Sequence, residues 1–277
     1  RIHFNKNSKT RRRELKHTFH EFKPMVMKYQ LLFLFVISIL STSQARSQNI
    51  STLDTIKDTA TDPYRLICYQ HIHRKRLLGN SDYHSTGFLI ARNVLLTAAH
   101  NLFSPTGSKV DRITICPGRF KDKTSYDTII VSGLTQCKTA VRVNPNFKWK
   151  KASCDFAIII IPEEILNKVK NWPNASSFEL DPNIILDKGD RINVAGFPAS
   201  GGYDGSLMTY QNQDLEDVKE ATFHNSFQTE TGNSGSPIWV KKDGRLKIVG
   251  IHTYAGLATR LTPAAIEMIN LWIAQSH

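Results

Sequence analysis

The sequence predicts an all-β protein built in two halves and closed by one C-terminal helix. Three observations carry this expectation. Short apolar runs separated by turn residues fill the chain from Pro63 onward, a Pro-bearing stretch interrupts them near the middle, and helical spacing occurs only in the last segment.

In the first half (63–162), strand-like runs fall at 64–69, 86–90, 94–96, 112–116, 128–131, 140–143 and 156–161. Arg92-Asn93 separates two of these runs as a tight hairpin turn, and Pro117-Gly118 ends another. Residues 163–184 follow Pro162 and contain Pro173 and Pro182, which makes them a connection between the halves. The second half (185–262) repeats the texture at 191–197, 207–210, 222–228, 237–240, 246–252 and 258–261, with Lys242-Asp243-Gly244 as a hairpin signal. In 263–277, Ile266, Ile269 and Ile273, flanked by Met268 and Trp272, form an apolar stripe that starts just after Pro263.

Composition sets the outer bounds. A chain of 277 residues has room for one large or two small domains, and 40% hydrophobic with 22% charged residues argues against disorder, collagen-like repeats and coiled coil. The formal charge of +12 would suit a nucleic-acid or acidic-membrane partner, but its distribution removes that reading. Residues 1–45 hold nine Lys and Arg against Glu14 and Glu21, which leaves +5 for the rest. The basic segment leads through Met27-Lys28-Tyr29-Gln30 into the ten-residue apolar run 31–40 and then Ser43 and Ala45. This pattern over 27–45 reads as a secretory signal peptide, because a membrane-spanning helix needs about 20 apolar residues. Residues 1–26 read as upstream sequence, with translation starting at Met25 or Met27. Residues 46–62, polar and without apolar period, read as a flexible lead or pro-segment.

Three short motifs carry the chemistry. Thr97-Ala98-Ala99-His100 puts a histidine at a strand end beside small residues. Cys154-Asp155-Phe156-Ala157-Ile158 puts a carboxylate at the mouth of a nearly all-apolar strand, where burial demands a partner, and His100 can be that partner. Thr231-Gly232-Asn233-Ser234-Gly235-Ser236-Pro237 sets a serine on a glycine-flanked turn, where the N–H groups of Gly232 and Ser234 can converge on a developing oxyanion. Each alone has an ordinary explanation: a surface histidine, a turn acid, a Gly-Ser hairpin.

Together, in the order His100, Asp155, Ser234, they resemble the chymotrypsin-like serine proteases. Within that superfamily the Gly-Asn-Ser-Gly-Ser-Pro sequence is most similar to the secreted glutamyl endopeptidases. The similarity runs from Pro63 to the C-terminal helix and includes Pro117-Gly118-Arg119, Gly196-Phe197-Pro198, Gly250-Ile251-His252 and Thr259-Arg260-Leu261-Thr262. It implies two six-stranded antiparallel β-barrels with the active site between them. It further implies a secreted serine endopeptidase with His100, Asp155 and Ser234 as catalytic triad, and Gly232 and Ser234 as oxyanion hole. Thr229 and His252 match the positions that hold a substrate carboxylate in the glutamyl endopeptidases, so cleavage after Glu or Asp is expected. Gln228 stands where trypsin-like members carry the acid that binds basic substrates.

Two departures stand out. Thr231 replaces a glycine usual in the secreted bacterial enzymes, and Asn233 replaces the aspartate that pairs with a newly cut amino terminus in trypsin-like zymogens. The four cysteines, Cys68, Cys116, Cys137 and Cys154, allow three pairings or none and lack metal-ligand spacing. Asn49-Ile50-Ser51 and Asn174-Ala175-Ser176 are glycosylation sequons. No cofactor or metal is expected, the partners are protein or peptide substrates, and the expected form is a monomer without a stable membrane anchor. The competing readings are a catalytically silent homologue acting as a binding or scaffold protein, a serine protease of other specificity, and a signal-anchored membrane protease.

Overall fold

Apolar residues at every second position make half-buried strands, and continuous apolar runs make central ones. Both occur here. Ile129-Ile130-Val131-Ser132 alternates buried and exposed, whereas Val94-Leu95-Leu96-Thr97 is buried throughout and lies between two neighbouring strands. The computed structural model describes residues 53–76, 79–105, 107–174 and 178–275. The expected signal peptide, the basic segment before it and the Asn49 sequon lie outside the described residues, as do Ala175 and Ser176 of the second sequon.

In chain order the first ten strands are β1 (Asp54–Thr55), β2 (Ile67–Lys75), β3 (Asn80–Ala91), β4 (Val94–Thr97), β5 (Lys109–Pro117), β6 (Arg119–Phe120), β7 (Lys123–Thr124), β8 (Ile129–Ser132), β9 (Val141–Val143) and β10 (Ala157–Ile160). They are followed by β11 (Phe178–Glu179), β12 (Arg191–Gly196), β13 (Thr209–Asp214), β14 (Asp217–Val218), β15 (Thr222–His224), β16 (Pro237–Lys242), β17 (Arg245–Tyr254) and β18 (Leu257–Arg260). Four α-helices are interspersed among the described residues: α1 (Ala99–Leu102), α2 (Leu134–Ala140), α3 (Glu163–Leu166) and α4 (Pro263–Ala274).

Two curled sheets result. The first is seven-stranded in the order β8-β5-β2-β3-β4-β10-β9 and antiparallel throughout. The second is nine-stranded, in the order β1-β13-β12-β16-β17-β18-β15-β14, with β11 added parallel to β17. This is the expected all-β double-barrel class, with short extra strands raising the count above six per barrel. The hairpin at Lys242-Asp243-Gly244 forms as read, with positive φ at Asp243 and Gly244, the geometry a two-residue turn between twisted strands requires.

One core cluster fills the first barrel, continues through Ala195, Trp239, Ile248 and Ile251 of the second sheet and reaches the C-terminal helix, and a second, with Ile192, Val194, Phe223, Ile238 and Val249, lies within the other barrel. Helix α4 begins with Thr262 as its cap, the hydroxyl accepting the Ala265 N–H at 3.2 Å, followed by Pro263. Its face carrying Ile266 and Ile269 is fully buried. The described part of the expected flexible lead is docked instead. Asp54 and Thr55 pair with Tyr210 and Thr209, and the buried Thr59 hydroxyl donates to the Gly118 carbonyl at 2.6 Å. A polar strand edge satisfied by backbone bonds needs no apolar period, which is why the sequence pattern missed it.

Candidate active site

His100 sits in the one-turn helix α1 at the end of β4, and Asp155 sits just before β10, the strand paired with β4. The register that aligns Ala157 with Thr97 therefore brings the two side chains together. Asp155 is completely buried. One carboxylate oxygen lies 2.7 Å from His100 Nδ1 and the other accepts the His100 backbone N–H at 2.9 Å. This pairing fixes the ring and leaves Nε2 free to exchange a proton. The His100 ring is stacked on Tyr254 (centroids 5.2 Å apart, 20° between planes) and met edge-on by Trp149 at 6.2 Å. Burial, together with the nearby Asp155 charge, pushes the Tyr254 phenol up to about 12.

Ser234 lies on the loop before β16. Its hydroxyl donates to the Thr253 carbonyl at 3.1 Å, and no hydrogen bond joins it to His100 among the described residues. Gly232 adopts φ +101°, and a Cβ there would meet the Phe197 carbonyl at 2.4 Å, so only glycine fits. The Thr231 carbonyl accepts the Ala199 N–H at 2.6 Å. Because the peptide is planar and trans, that bond points the Gly232 N–H the opposite way. Neither the Gly232 nor the Ser234 N–H is taken up by another group among the described residues.

The loop is held by residues that local sequence reading did not flag. The Thr86 hydroxyl donates to the Gly232 carbonyl at 2.8 Å and accepts the Phe197 N–H at 2.9 Å, while the Thr86 N–H donates to the Ser234 carbonyl at 3.0 Å. The Asn101 amide also reaches the Ser234 carbonyl, at 2.9 Å. A Cβ on Gly235 would meet the Thr86 carbonyl at 2.0 Å. Strand β3 of the first sheet thus clasps the serine loop of the second. The glycines of the motif were legible as turn formers, but nothing near Thr86 marks it as their partner.

His252 lies in β17, buried, its Nδ1 without a hydrogen-bond partner. Burial, aided by the nearby His100, lowers its pKa to about 4, so the ring is neutral at neutral pH. Thr229 is partly exposed on the approach to the serine loop, and no hydrogen bond joins it to His252. A cavity of about 300 Å³ opens between the barrels, lined from the first by Arg74, Arg76, Tyr83, His84, His100 and Trp149 and from the second by Thr231, Gly232 and Ser234. Thr229 and His252 do not line it.

The four cysteines are free thiols, so of the pairings left open by the sequence none is made. Burial pushes Cys137 up to about 11, as suits an inert core thiol. Among the described residues no group of three or more His, Cys, Asp or Glu is arranged to hold a metal ion, and no helix is long and apolar enough to cross a membrane.

The comparisons agree with this architecture. A curated relative described as an extracellular metalloprotease of Bacillus subtilis (strain 168) is 26% identical over 234 residues, spanning 79% of this chain and 67% of its own length. A solved structure of a Glu endopeptidase in complex with MPD superposes with a TM-score of 0.59 at 22% identity, covering 79% of this chain and 95% of that one. The thermostable serine protease AL20 from an extremophilic microorganism gives 0.56 at 10% identity, covering 76% and 97%. At these identities the structural likenesses are of fold. The model of the trypsin-like peptidase domain matches residues 85–251, from the strand that clasps the serine loop to the strand that carries His252, and with more than half of its length matched the chain belongs to that family.

Proposed function

We propose that the protein is an exported serine endopeptidase that cuts peptide bonds through Ser234, His100 and Asp155 and prefers Glu, or Asp, before the scissile bond. The observation that carries the reading is the His100 ring, tied through Nδ1 to a fully buried Asp155 and opening on the same cavity as Ser234. A serine hydroxyl attacks well only if its proton is removed as the bond forms. A rotation about χ1 of Ser234 exchanges the Thr253 carbonyl for His100 Nε2, which takes that proton while Asp155 stabilises the imidazolium. The carbonyl oxygen of the substrate, now negative, accepts the N–H groups of Gly232 and Ser234. His100 then passes the proton to the departing amine, and a water activated by the same ring releases the acyl group.

The Glu preference is supported by His252 and Thr229. The neutral His252 imidazole, with an unpartnered, fully buried nitrogen, and the hydroxyl of the partly exposed Thr229 are each suited to donate to a carboxylate. Export is supported by the leader pattern over 27–45. Labelling with a fluorophosphonate tests the nucleophile: Ser234→Ala is expected to lose both labelling and peptide hydrolysis while keeping its fold. Unchanged turnover sinks the assignment. A peptide series differing only in the residue before the scissile bond tests specificity, and a preference for Lys, Arg or Phe over Glu defeats that part. One observation favours the second reading, a silent binding homologue: the Ser234 hydroxyl is engaged by Thr253 and not by His100. Absence of labelling in the unaltered protein decides for it.

A further inference from the structure

We propose that the cavity beside Ser234 is a second specificity site, selective for an acidic side chain on the leaving-group side of the cut bond. The proposal rests on the serine-peptidase reading above. Two regions flank Ser234. Thr229 and His252 belong to one, assigned to the residue before the scissile bond, and the cavity reaching from His100 to Arg76 is the other. The departing amine takes its proton from His100, so the leaving peptide lies toward that ring and along that cavity.

The wall of the cavity that strands β2 and β3 supply is built around an unusual charge. Arg74 is only 3% exposed, yet it has no carboxylate partner among the described residues. Its Nη2 donates to the carbonyls of His100 (3.1 Å) and Asn101 (2.5 Å), its Nε has no partner, and its guanidinium lies 4.4 Å from the centre of the Tyr83 ring. A buried cation is normally paired, because its desolvation is costly. Arg76 stands beside it, exposed, with Nη2 donating to the Tyr83 hydroxyl at 2.7 Å. None of the described residues lining the cavity is acidic.

The neighbouring acids are already occupied. Asp155 is held by His100, Asp82 pairs with His71, and Asp111 with His73 and Lys75, while Glu230 accepts the Ser200 hydroxyl and does not line the cavity. Two guanidinium groups therefore face one cavity whose lining supplies no compensating negative charge. A carboxylate entering from the substrate supplies it: Arg76 makes the direct contact, while Arg74, braced against the His100 backbone, contributes charge from behind. A basic side chain at the same place is repelled.

The test uses the full-length chain and peptides with a constant acyl side ending in Glu, varied at the two residues after the bond among Asp, Ala and Lys. Asp is expected to exceed Ala in kcat/KM by roughly tenfold and Lys by more, with the preference shrinking as salt is raised from low to high. In Arg76→Ala the Asp-to-Ala ratio is expected to fall to within about twofold, and in Arg76→Glu the order reverses. An unaltered protein that cleaves the series without acidic preference overturns the subsite but leaves the peptidase reading intact. A protein that cleaves none of the peptides defeats that reading, and the subsite is then decided by binding alone. In Ser234→Ala, calorimetry with Ala-Asp-Ala-amide and Ala-Lys-Ala-amide should show the acidic peptide bound more tightly, and the difference should vanish with Arg76→Ala. Equal affinity of the two peptides overturns the proposal.

Discussion

Replacing Thr86 by valine removes a single hydroxyl of nearly unchanged shape, yet that hydroxyl closes two buried bonds across the barrels. Thr86 and Phe197 are completely buried, so the Phe197 N–H and the Gly232 carbonyl lose their partner where water cannot replace it. Each orphaned group costs about 1–3 kcal/mol, so Thr86→Val is expected to lose roughly 2–6 kcal/mol. That is a large share of the roughly 5–15 kcal/mol that holds a typical domain together. With a urea slope of about 2 kcal/mol per molar, the midpoint falls by about 1–3 M. Function suffers as well, because the released Gly232 carbonyl frees the Gly232–Asn233 peptide, which lies between the Gly232 and Ser234 donors and sets their alignment; full loss of one oxyanion donor lowers kcat by about 10²–10³. Thr86→Ser is the control. It keeps both bonds and gives up one methyl, worth about 1 kcal/mol. Urea unfolding and the fluorophosphonate labelling rate are measured for both variants. If valine and serine variants unfold within about 0.5 kcal/mol of each other and label equally fast, the clasp does not hold the loop and the reasoning fails.

Three further outcomes are expected. Asp155→Asn keeps the buried geometry but removes the charge and disturbs the His100 tautomer, so kcat should fall by about 10⁴ with little change in KM, read in steady-state kinetics. Gly235→Ala places a Cβ 2.0 Å from the Thr86 carbonyl at a φ of +91°, and the clash and left-handed backbone together should cost roughly 2–5 kcal/mol in urea unfolding. His252, with its pKa lowered to about 4 by burial, binds its proton more weakly in the folded than in the unfolded chain, where the value is about 6.5. Its contribution is thus intact above pH 6.5 and lost as pH falls through 4, about 3 kcal/mol in all; urea titrations at both ends should show this loss in the unaltered protein and not in His252→Phe.

Much of this was legible because each chemical group sits on a local signal. His100 ends an apolar strand, Asp155 starts one, and Ser234 lies between glycines whose positive φ values the structure bears out at Gly232 and Gly235. The strand runs were likewise readable from apolar spacing, and their pairing brings His100 to Asp155. What could not be read depends on distance along the chain. Thr86 is 146 residues from the carbonyl it holds, and no pattern of period two or 3.6 encodes such a bond. Arg74 was hidden differently. In His71-Ile72-His73-Arg74-Lys75 a charged residue reads as solvent-facing, but the alternation of β2 turns it to the same buried face as Ile72 and Gln70. The docking of β1 was hidden because backbone bonds carry it and no apolar side chain announces it.

The way the site is registered also explains how it tolerates the observed serine rotamer. The positions of His100 and Ser234 are set by bonds to main-chain atoms: Arg74 to the His100 carbonyl, Asp155 to the His100 N–H, Thr86 and Asn101 to the Ser234 carbonyl. None of these bonds involves the reacting hydroxyl or Nε2. The side chain of Ser234 can therefore turn from Thr253 to His100 without disturbing the frame, so that the costly alignment is made once, on folding, and not in each turnover. Of these, the bonds from Thr86 and Asn101 run between the two barrels, so the cleft cannot widen without breaking them. Loss of the frame and loss of the fold should consequently occur together, and labelling should disappear at the same urea concentration as tertiary structure, not before it.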